Sequence, residues 1–407
     1  MAVRRVAMLS VHTSPLAQPG AGDGGGMNVY VRALAAALAE AGVACDVLTR
    51  AEHPEQPPVV DVTPGFRVVH IPAGPLAPVR KRELPALIDD FTDQAREHLM
   101  AAGDFDVLHA NYWLSGAVGH QLKHDLDLPL VATFHTLDRV KALAGLGDDP
   151  EVRARTEAEV VRCADLMVVA TEGERTQLTE LYDADIDRVE IVPPGVDHRI
   201  FTPGDGDAAR RRLGLSGRDV LLFVGRIQPL KGADLAVRIL GALGDSNAVL
   251  LVVGGPSGPD GTEEQRRLEE LVTELGLDHQ VRFVPPQPHA ELAEYYRAAQ
   301  VCVVPSHTES FGLVALEAAA CGTPVVAAAV GGLQSIVSHT ETGFLVDGRA
   351  PEDYAGPVAH LFDRPEEARA MGRRASERTA TYRWSITAAR LRRLYADLAS
   401  RALVECT

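Results

Sequence analysis

Three short constellations combine cations, carboxylates and glycines at spacings suited to handling a phosphate and a sugar. The first is Gly225-Arg226-Ile227-Gln228-Pro229-Leu230-Lys231-Gly232, directly after the apolar run 220–224. An arginine and a lysine at a strand's C-terminal end can converge on one diphosphate and stabilise it as it departs. A solvated surface loop is the plain alternative. The second is Glu309-Ser310-Phe311-Gly312-Leu313-Val314-Ala315-Leu316-Glu317, with one glutamate at a helix start and the other just over two turns along. Carboxylates so placed accept hydrogen bonds from sugar and ribose hydroxyls, and the amides of Gly312, Leu313 and Val314 can hold phosphate. For Glu309 alone a helix-capping role is the plainer alternative, whereas a carboxylate at 317 among Leu and Ala is costly to bury unless paired. The third constellation follows the first strand, where His12-Thr13-Ser14-Pro15 leads into Asp23-Gly24-Gly25-Gly26-Met27-Asn28 and a helix. A glycine loop feeding a helix N-terminus lets backbone amides approach an anion. It does not fit the dinucleotide fingerprint, which argues against an NAD dehydrogenase.

The composition narrows the partners. A chain of 407 residues is long enough for two cores, and its formal charge of -16 repels nucleic acid and anionic membranes. A phosphorylated small molecule then needs a local basic site. The five cysteines, Cys45, Cys163, Cys302, Cys321 and Cys406, are odd in number and lack metal spacing, so free structural thiols in a reducing cytoplasm are expected. Arg4 and Arg5 precede only a strand-sized apolar run, and no secretory signal is expected. The apolar stretch 318–333 is broken by Gly322, Pro324 and Gly331, so no membrane span is expected either.

These residues need elements to position them. Short β-branched runs at 6–11, 43–48, 68–71, 107–110, 130–134 and 166–170 read as strands, and the rhythm restarts at 220–224, 249–253, 281–284, 301–304 and 325–328. Helical patterns intervene, as at 29–41, 265–275 and 313–321. Buried strands separated by helices indicate parallel, doubly wound sheets. The densest Pro/Gly punctuation, Pro193-Pro194-Gly195 to Thr202-Pro203-Gly204, marks a domain boundary. The expected architecture is α/β: two Rossmann-like doubly wound domains, 1–200 and 201–383, facing each other across a cleft. A C-terminal segment, 384–407, would pack back toward the first domain, its helix running from about 386 to 403.

Taken in order, Gly-Gly-Met-Asn at 25–28, Gly-Arg-x4-Lys-Gly at 225–232 and the paired glutamates 309 and 317 resemble glycosyltransferase family four, the sucrose-synthase-like retaining enzymes. The likeness runs through Tyr112-Trp113-Leu114-Ser115-Gly116, Gly254-Gly255-Pro256-Ser257-Gly258-Pro259 and Val330-Gly331-Gly332-Leu333. The resemblance implies a GT-B fold. It also implies transfer of N-acetylglucosamine from UDP-N-acetylglucosamine to 1D-myo-inositol 3-phosphate with retained configuration, in a cytoplasmic homodimer. The family holds the donor through positions matching Gln18, Pro19, Gly26, Arg226, Lys231, Glu309, Gly312, Leu313, Val314 and Glu317. It holds the phosphorylated cyclitol through His12, Asp23, Gly24, Gly25, Gly26, Met27, Asn28, Lys81, Tyr112, Thr136 and Arg153. The chemistry is implied to fall on His12, Arg226, Lys231 and Glu309. Magnesium, where it binds, is implied at Tyr296, Arg297, Ala298 and Thr323, remote from the chemistry and not needed for it.

Taken singly, the acceptor residues have plainer readings. Lys81 sits in the basic triplet Arg80-Lys81-Arg82, Tyr112 beside Trp113 can be core, and Arg155 can replace Arg153. Three departures from the family pattern also stand out. Asn111 occupies a histidine position, Ala142 follows Lys141 where asparagine is expected, and Gln334 replaces a proline. The first two lie on the acceptor side, so a sister transferase acting on an aminocyclitol or a thiol is the main rival. A nucleotide-sugar epimerase and a non-enzymatic sensor stand further off.

Overall fold

The structure is a computed structural model that describes residues 3–145, 150–244, 246–257 and 261–406. Gly258 and Pro259, the end of the run that begins Gly254-Gly255-Pro256, lie outside the described residues. The chain divides into two compact units. One comprises Met1–Ala17, Gly26–Gly195 and Trp384–Thr407, the other Gln18–Gly25 and Val196–Arg383.

The first unit contains β1 (Arg5–Leu9), β2 (Ala44–Arg50), β3 (Val59–Thr63), β4 (Phe66–Ile71), β5 (Val107–Asn111), β6 (Leu130–Thr133), β7 (Leu166–Val169) and β8 (Val189–Ile191). They form one sheet in the order β3-β4-β2-β1-β5-β6-β7-β8, parallel except for the antiparallel edge pair β3–β4. The second unit contains β9 (Asp219–Val224), β10 (Ala248–Val253), β11 (Val281–Val284), β12 (Val301–Val304), β13 (Val325–Ala328) and β14 (Gly343–Val346). Its order, β11-β10-β9-β12-β13-β14, is the 3-2-1-4-5-6 arrangement of a Rossmann sheet. Central strands such as β5, β10 and β12 are buried along their length, as Val/Leu runs covered on both faces must be.

In each unit the chain reverses direction across the sheet beside its first strand, between β1 and β5 and between β9 and β12. Loops leaving the carboxyl ends at such a point splay apart and leave a crevice for ligand. His12 follows β1, Tyr112 follows β5, Arg226 follows β9 and Glu309 lies in the loop after β12. The helix Trp113–Leu126 lies close on the sheet because residue 119 is glycine; a Cβ there would come within 2.7 Å of Leu130.

Three strands were not expected. β3 alternates exposed and half-buried residues at a sheet edge, and β8 and β14 are three and four residues long, too short for a periodic signal. The first helix begins at Gly26, inside the glycine loop, and spans Gly26–Glu40. The last helix is Trp384–Leu398, ending before residue 403. It packs on the first unit: Trp384 meets Tyr30 edge-on, and the Tyr395 hydroxyl lies 2.6 Å from His109 Nδ1. His109 also reaches Thr133 Oγ1 at 2.9 Å, and full burial pushes its pKa down to about 3, so it stays neutral in the core.

The cysteines require a correction. Cys45, Cys302 and Cys321 are free, buried thiols whose pKa values burial drives upward, but Cys163 and Cys406 are joined as a disulfide. Their separation of 243 residues hid the pairing, since only the docking of the C-terminal tail brings them together. Among the described residues no helix is long and apolar enough to cross a membrane.

Candidate active site

In the second unit, the loops after β9 and β12 lie side by side, with His307 N donating to Leu230 O at 2.9 Å. Lys231 Nζ donates to Glu309 Oε2 at 2.6 Å, and Ser306 Oγ donates to the same oxygen at 3.2 Å. Arg226 Nη1 donates to Ser257 Oγ at 3.1 Å. Gly312, at φ 101°, opens the helix Leu313–Ala320, whose first-turn amides have no partner within the helix. Cations and a helix N-terminus thus share one end of the sheet, as an anion site requires. Gln18 belongs to this unit, its Nε2 donating to Gln287 O at 2.9 Å, and Gly255 N donates to Gly20 O at 3.0 Å. The glycine loop is therefore divided: Asp23, Gly24 and Gly25 group with the second unit, Gly26, Met27 and Asn28 with the first.

The Glu309 loop is shaped by Gly331. At φ 47°, residue 331 backs onto the loop so closely that a Cβ would lie 2.0 Å from Glu309 O. Gly331→Ala is therefore expected to displace Glu309, lowering Tm and UDP affinity together. A calorimetric titration showing unchanged affinity would contradict that. Gln334, at the proline position, folds back to Ala329 O at 3.1 Å on the exposed side.

Glu317 is buried, and its Oε2 accepts from the Tyr296 hydroxyl at 2.8 Å. Burial pushes its carboxyl above the usual range, against lesser opposing effects from His289 and the Tyr296 hydrogen bond. A carboxyl raised in the folded state holds its proton better there than when unfolded. Its stabilisation is full below the unfolded pKa and is lost as pH rises through the folded one. Glu317→Gln is expected to gain stability relative to wild type as pH rises above the carboxylate range. Parallel pH–Tm curves for the two proteins would contradict this.

Tyr296 O accepts from Thr323 Oγ1 at 2.6 Å, and Ala298 O accepts from Arg210 Nη1 at 2.8 Å. Arg297 spends its guanidinium on Ile200 O, Thr202 O and Glu294. The Ala298 and Tyr296 carbonyls are thus engaged by a guanidinium and a hydroxyl within the second unit.

In the first unit, Lys81, Tyr112, Thr136 and Arg153 come together. Arg153 Nη1 donates to the Tyr112 hydroxyl at 3.1 Å, and Nη2 to Thr136 O and Oγ1 at 2.7 and 3.2 Å. Lys81 Nζ sits 4.4 Å from the centre of the Tyr112 ring, and the His12 ring lies 4.4 Å from it. Burial would raise the Tyr112 hydroxyl, but the charges of Lys81 and Arg153 outweigh it and hold the pKa below the ordinary value. Tyr112 itself adopts φ 78°, a left-handed setting that costs a side-chain residue about 1–3 kcal/mol and so marks an over-determined position. Asn28 braces the His12 loop, its amide donating to Thr13 Oγ1 and Ser14 O at 2.7 and 2.6 Å.

Tyr112 is buried in the core of the first unit, as its plainer reading has it, and the two cations differ from their neighbours in direction. Arg80 and Arg82 are exposed while Lys81 turns toward Tyr112, and Arg155 is exposed while Arg153 is buried. Asn111, in place of histidine, is buried with its Oδ1 3.0 Å from His135 Nε2, and burial holds His135 down to about 3. The supporting carboxylate, Glu157, was not anticipated. It accepts from Arg153 Nε at 2.7 Å, Asp138 N at 2.9 Å and the Tyr182 hydroxyl. Its four-residue spacing from Arg153 on the helix Pro150–Cys163 is the one signal that pointed to it. Ser257 and Ser306 were also missed; neither hydroxyl is distinguishable in sequence from a loop serine.

Comparison with known proteins gives the family. Residues 25–195 match the family described as Glycosyl transferase 4-like domain, and residues 205–378 match Glycosyl transferases group 1. A sucrose-phosphate synthase from Thermosynechococcus elongatus superposes with a TM-score of 0.91 at 36% identity, over 97% of this chain and 99% of that one. A D-inositol 3-phosphate glycosyltransferase of Geodermatophilus obscurus is 53% identical over 384 residues, 91% of this chain and 85% of the relative. One from Catenulispora acidiphila is 47% identical over 412 residues, covering 98% and 95%. Fold and site together define a glycosyltransferase of the GT-B class. The chain belongs to glycosyltransferase family four, in the group of the D-inositol 3-phosphate glycosyltransferases.

Proposed function

We propose that the protein transfers N-acetylglucosamine from UDP-N-acetylglucosamine to a hydroxyl of 1D-myo-inositol 3-phosphate, with retention of anomeric configuration. The observation that carries the acceptor is the convergence of Lys81, Tyr112, Thr136 and Arg153. Arg153 is balanced by Glu157 and Asp138, whereas among the described residues no carboxylate pairs with Lys81. In a chain of net charge -16, a lysine turned inward onto a tyrosine suits a phosphomonoester. The names of the relatives support the same acceptor.

The donor side follows from the second unit. Arg226 and Lys231 neutralise the diphosphate as the sugar–oxygen bond breaks, and the amides from Gly312 onward hold its oxygens. Glu309 orients Lys231 and is placed to accept from a sugar hydroxyl. Retention with a single inversion-free face is then a front-side displacement. The acceptor hydroxyl attacks the anomeric carbon on the side the diphosphate leaves, and the leaving phosphate oxygen takes its proton. His12, stacked by Tyr112, orients the acceptor. The protein works as a cytoplasmic homodimer in this reading.

A second reading keeps the donor site and changes the acceptor, because the sucrose-phosphate synthase shares the whole fold at 36% identity. A matrix of nucleotide sugars against phosphorylated and unphosphorylated cyclitols and hexoses separates the two. Mass spectrometry identifies the product and the NMR coupling at its anomeric carbon gives the configuration. Turnover only with a phosphorylated hexose would replace the inositol-phosphate reading, and an inverted anomer would remove the front-side mechanism.

A further inference from the structure

We infer that His120, His124, Cys163 and Cys406 form a zinc site in the reduced protein, pinning the C-terminal tail to the first unit. One ligand atom from each residue lies within 4.8 Å of all the others. His120 and His124 stand one turn apart on the helix Trp113–Leu126, so both imidazoles leave the same face. Their rings are 5.3 Å apart, and His124 Nε2 is 3.2 Å from Cys406 Sγ. Cys163 ends the helix Pro150–Cys163, and Cys406 comes from the tail. Two imidazoles and two thiolates are the ligand set of a closed, tetrahedral structural zinc site, and their charges neutralise the dication. Zn–S and Zn–N bonds of about 2.3 and 2.0–2.1 Å place ligand atoms roughly 3.3–3.8 Å apart, so the widest gaps must close by about 1 Å and the two sulfurs, once reduced, must move apart, both within reach of side-chain torsions.

The disulfide of Cys163 and Cys406 does not account for the two histidines. A cystine needs only its sulfurs, yet the imidazoles gather around it. The framework is rigid without either link. Lys123, fully buried and next to His124 in sequence, donates to Asp165 Oδ1, Cys163 O and Val404 O at 2.9, 2.7 and 2.9 Å. Val404 N in turn donates to Asp165 Oδ1 at 2.7 Å. Helix, helix end and tail are therefore held in register before any ion arrives, which lowers the cost of closing the site. Disulfide and metal exclude one another. A dithiol reductant supplies two electrons and two protons, the S–S bond opens to two thiols, and zinc binding releases those two protons.

The test uses the full chain, reduced with dithiothreitol, freed of reductant under anaerobic conditions and titrated with Co2+, then with Zn2+. Stoichiometric uptake is expected, with the visible bands of tetrahedral Co2+, a thiolate charge-transfer band, and their loss on adding Zn2+. His120→Ala/His124→Ala and Cys406→Ser are expected to lose this uptake. Zn2+ should raise the Tm of the reduced wild type and leave that of Cys406→Ser unchanged. None of these residues takes part in the sugar or phosphate sites, so transferase turnover serves as a fold control for the variants. No cobalt spectrum in the reduced wild type would overturn the site and leave a disulfide alone. Equal uptake by the double-histidine variant, or by the oxidised chain, would overturn it as well.

Discussion

Lys231→Ala is expected to lower kcat by at least ~100-fold, and Arg226→Ala by a comparable factor, equivalent to about 2.7 kcal/mol of lost transition-state stabilisation each. The expectation rests on position: both cations leave the carboxyl end of β9, beside the helix that starts at Gly312. The Lys231–Glu309 pair complicates a single substitution. Removing the lysine leaves a half-buried carboxylate at 309 without its cation, and a charge so exposed by deletion can repel the donor on its own account. Lys231→Ala/Glu309→Gln separates the effects. If Lys231 stabilises the leaving group, the double variant recovers UDP affinity, measured by calorimetry, but not turnover. If the lysine only holds Glu309 in place, Glu309→Gln alone loses as much turnover as Lys231→Ala and the double variant loses no more, and the leaving-group role is lost. Arg226 donates to Ser257, and Arg226→Ala gives a second single-substitution test of the same role.

Much of the second unit was legible because its strands are continuous Val/Leu runs and its motifs sit where those runs end. A buried parallel strand declares itself by composition, and its C-terminal loop is where charge and glycine accumulate. β3, β8 and β14 were not legible for the opposite reason, being edge or very short strands that owe their state to a neighbour. The two-unit division shows the same limit. Residues 18–25 are local in sequence to the first strand, yet Gly20 O accepts from Gly255 N and the Gln18 side-chain amide donates to Gln287 O, and only such tertiary hydrogen bonds reveal where the loop belongs. Similarly, the resemblance singled out Lys81 and Arg153, but their residue types alone did not separate them from the neighbouring arginines of the same charge runs. Orientation came from Tyr112, which both contact, and Glu157, which holds the arginine. Cys163 and Cys406 were the plainest failure: each looks isolated until residues 384–406 fold back over the first sheet.

The acceptor site yields the sharpest expected difference. Free myo-inositol should be a far poorer acceptor than its 3-phosphate, since in the proposed function the phosphate is held by Lys81 and the Tyr112–Arg153 pair. A charge-assisted hydrogen bond contributes roughly 1.5–3 kcal/mol, so losing two separates the acceptors by roughly two to four orders of magnitude in kcat/KM. Lys81 and Arg153 are not equivalent in this. Arg153 is buried and bonded to Glu157, Tyr112 and Thr136, so Arg153→Ala would strip a carboxylate of its partner and disturb the scaffold as well as the ligand. Lys81 is half-buried at the first turn of Lys81–Leu87, with its ammonium over the Tyr112 ring, and can be cut back at little structural cost. Lys81→Ala should therefore erase much of the preference for the phosphorylated acceptor while UDP binding stays at wild-type strength. Tyr112→Phe, which keeps the ring but removes the hydroxyl that Arg153 meets, should fall between the two. The measurement is kcat/KM for both acceptors in all three proteins, with Tm recorded for each. A wild type that uses the two acceptors equally would end the inositol-phosphate assignment, and Lys81 would then be a solvated cation that happens to lie against an aromatic ring.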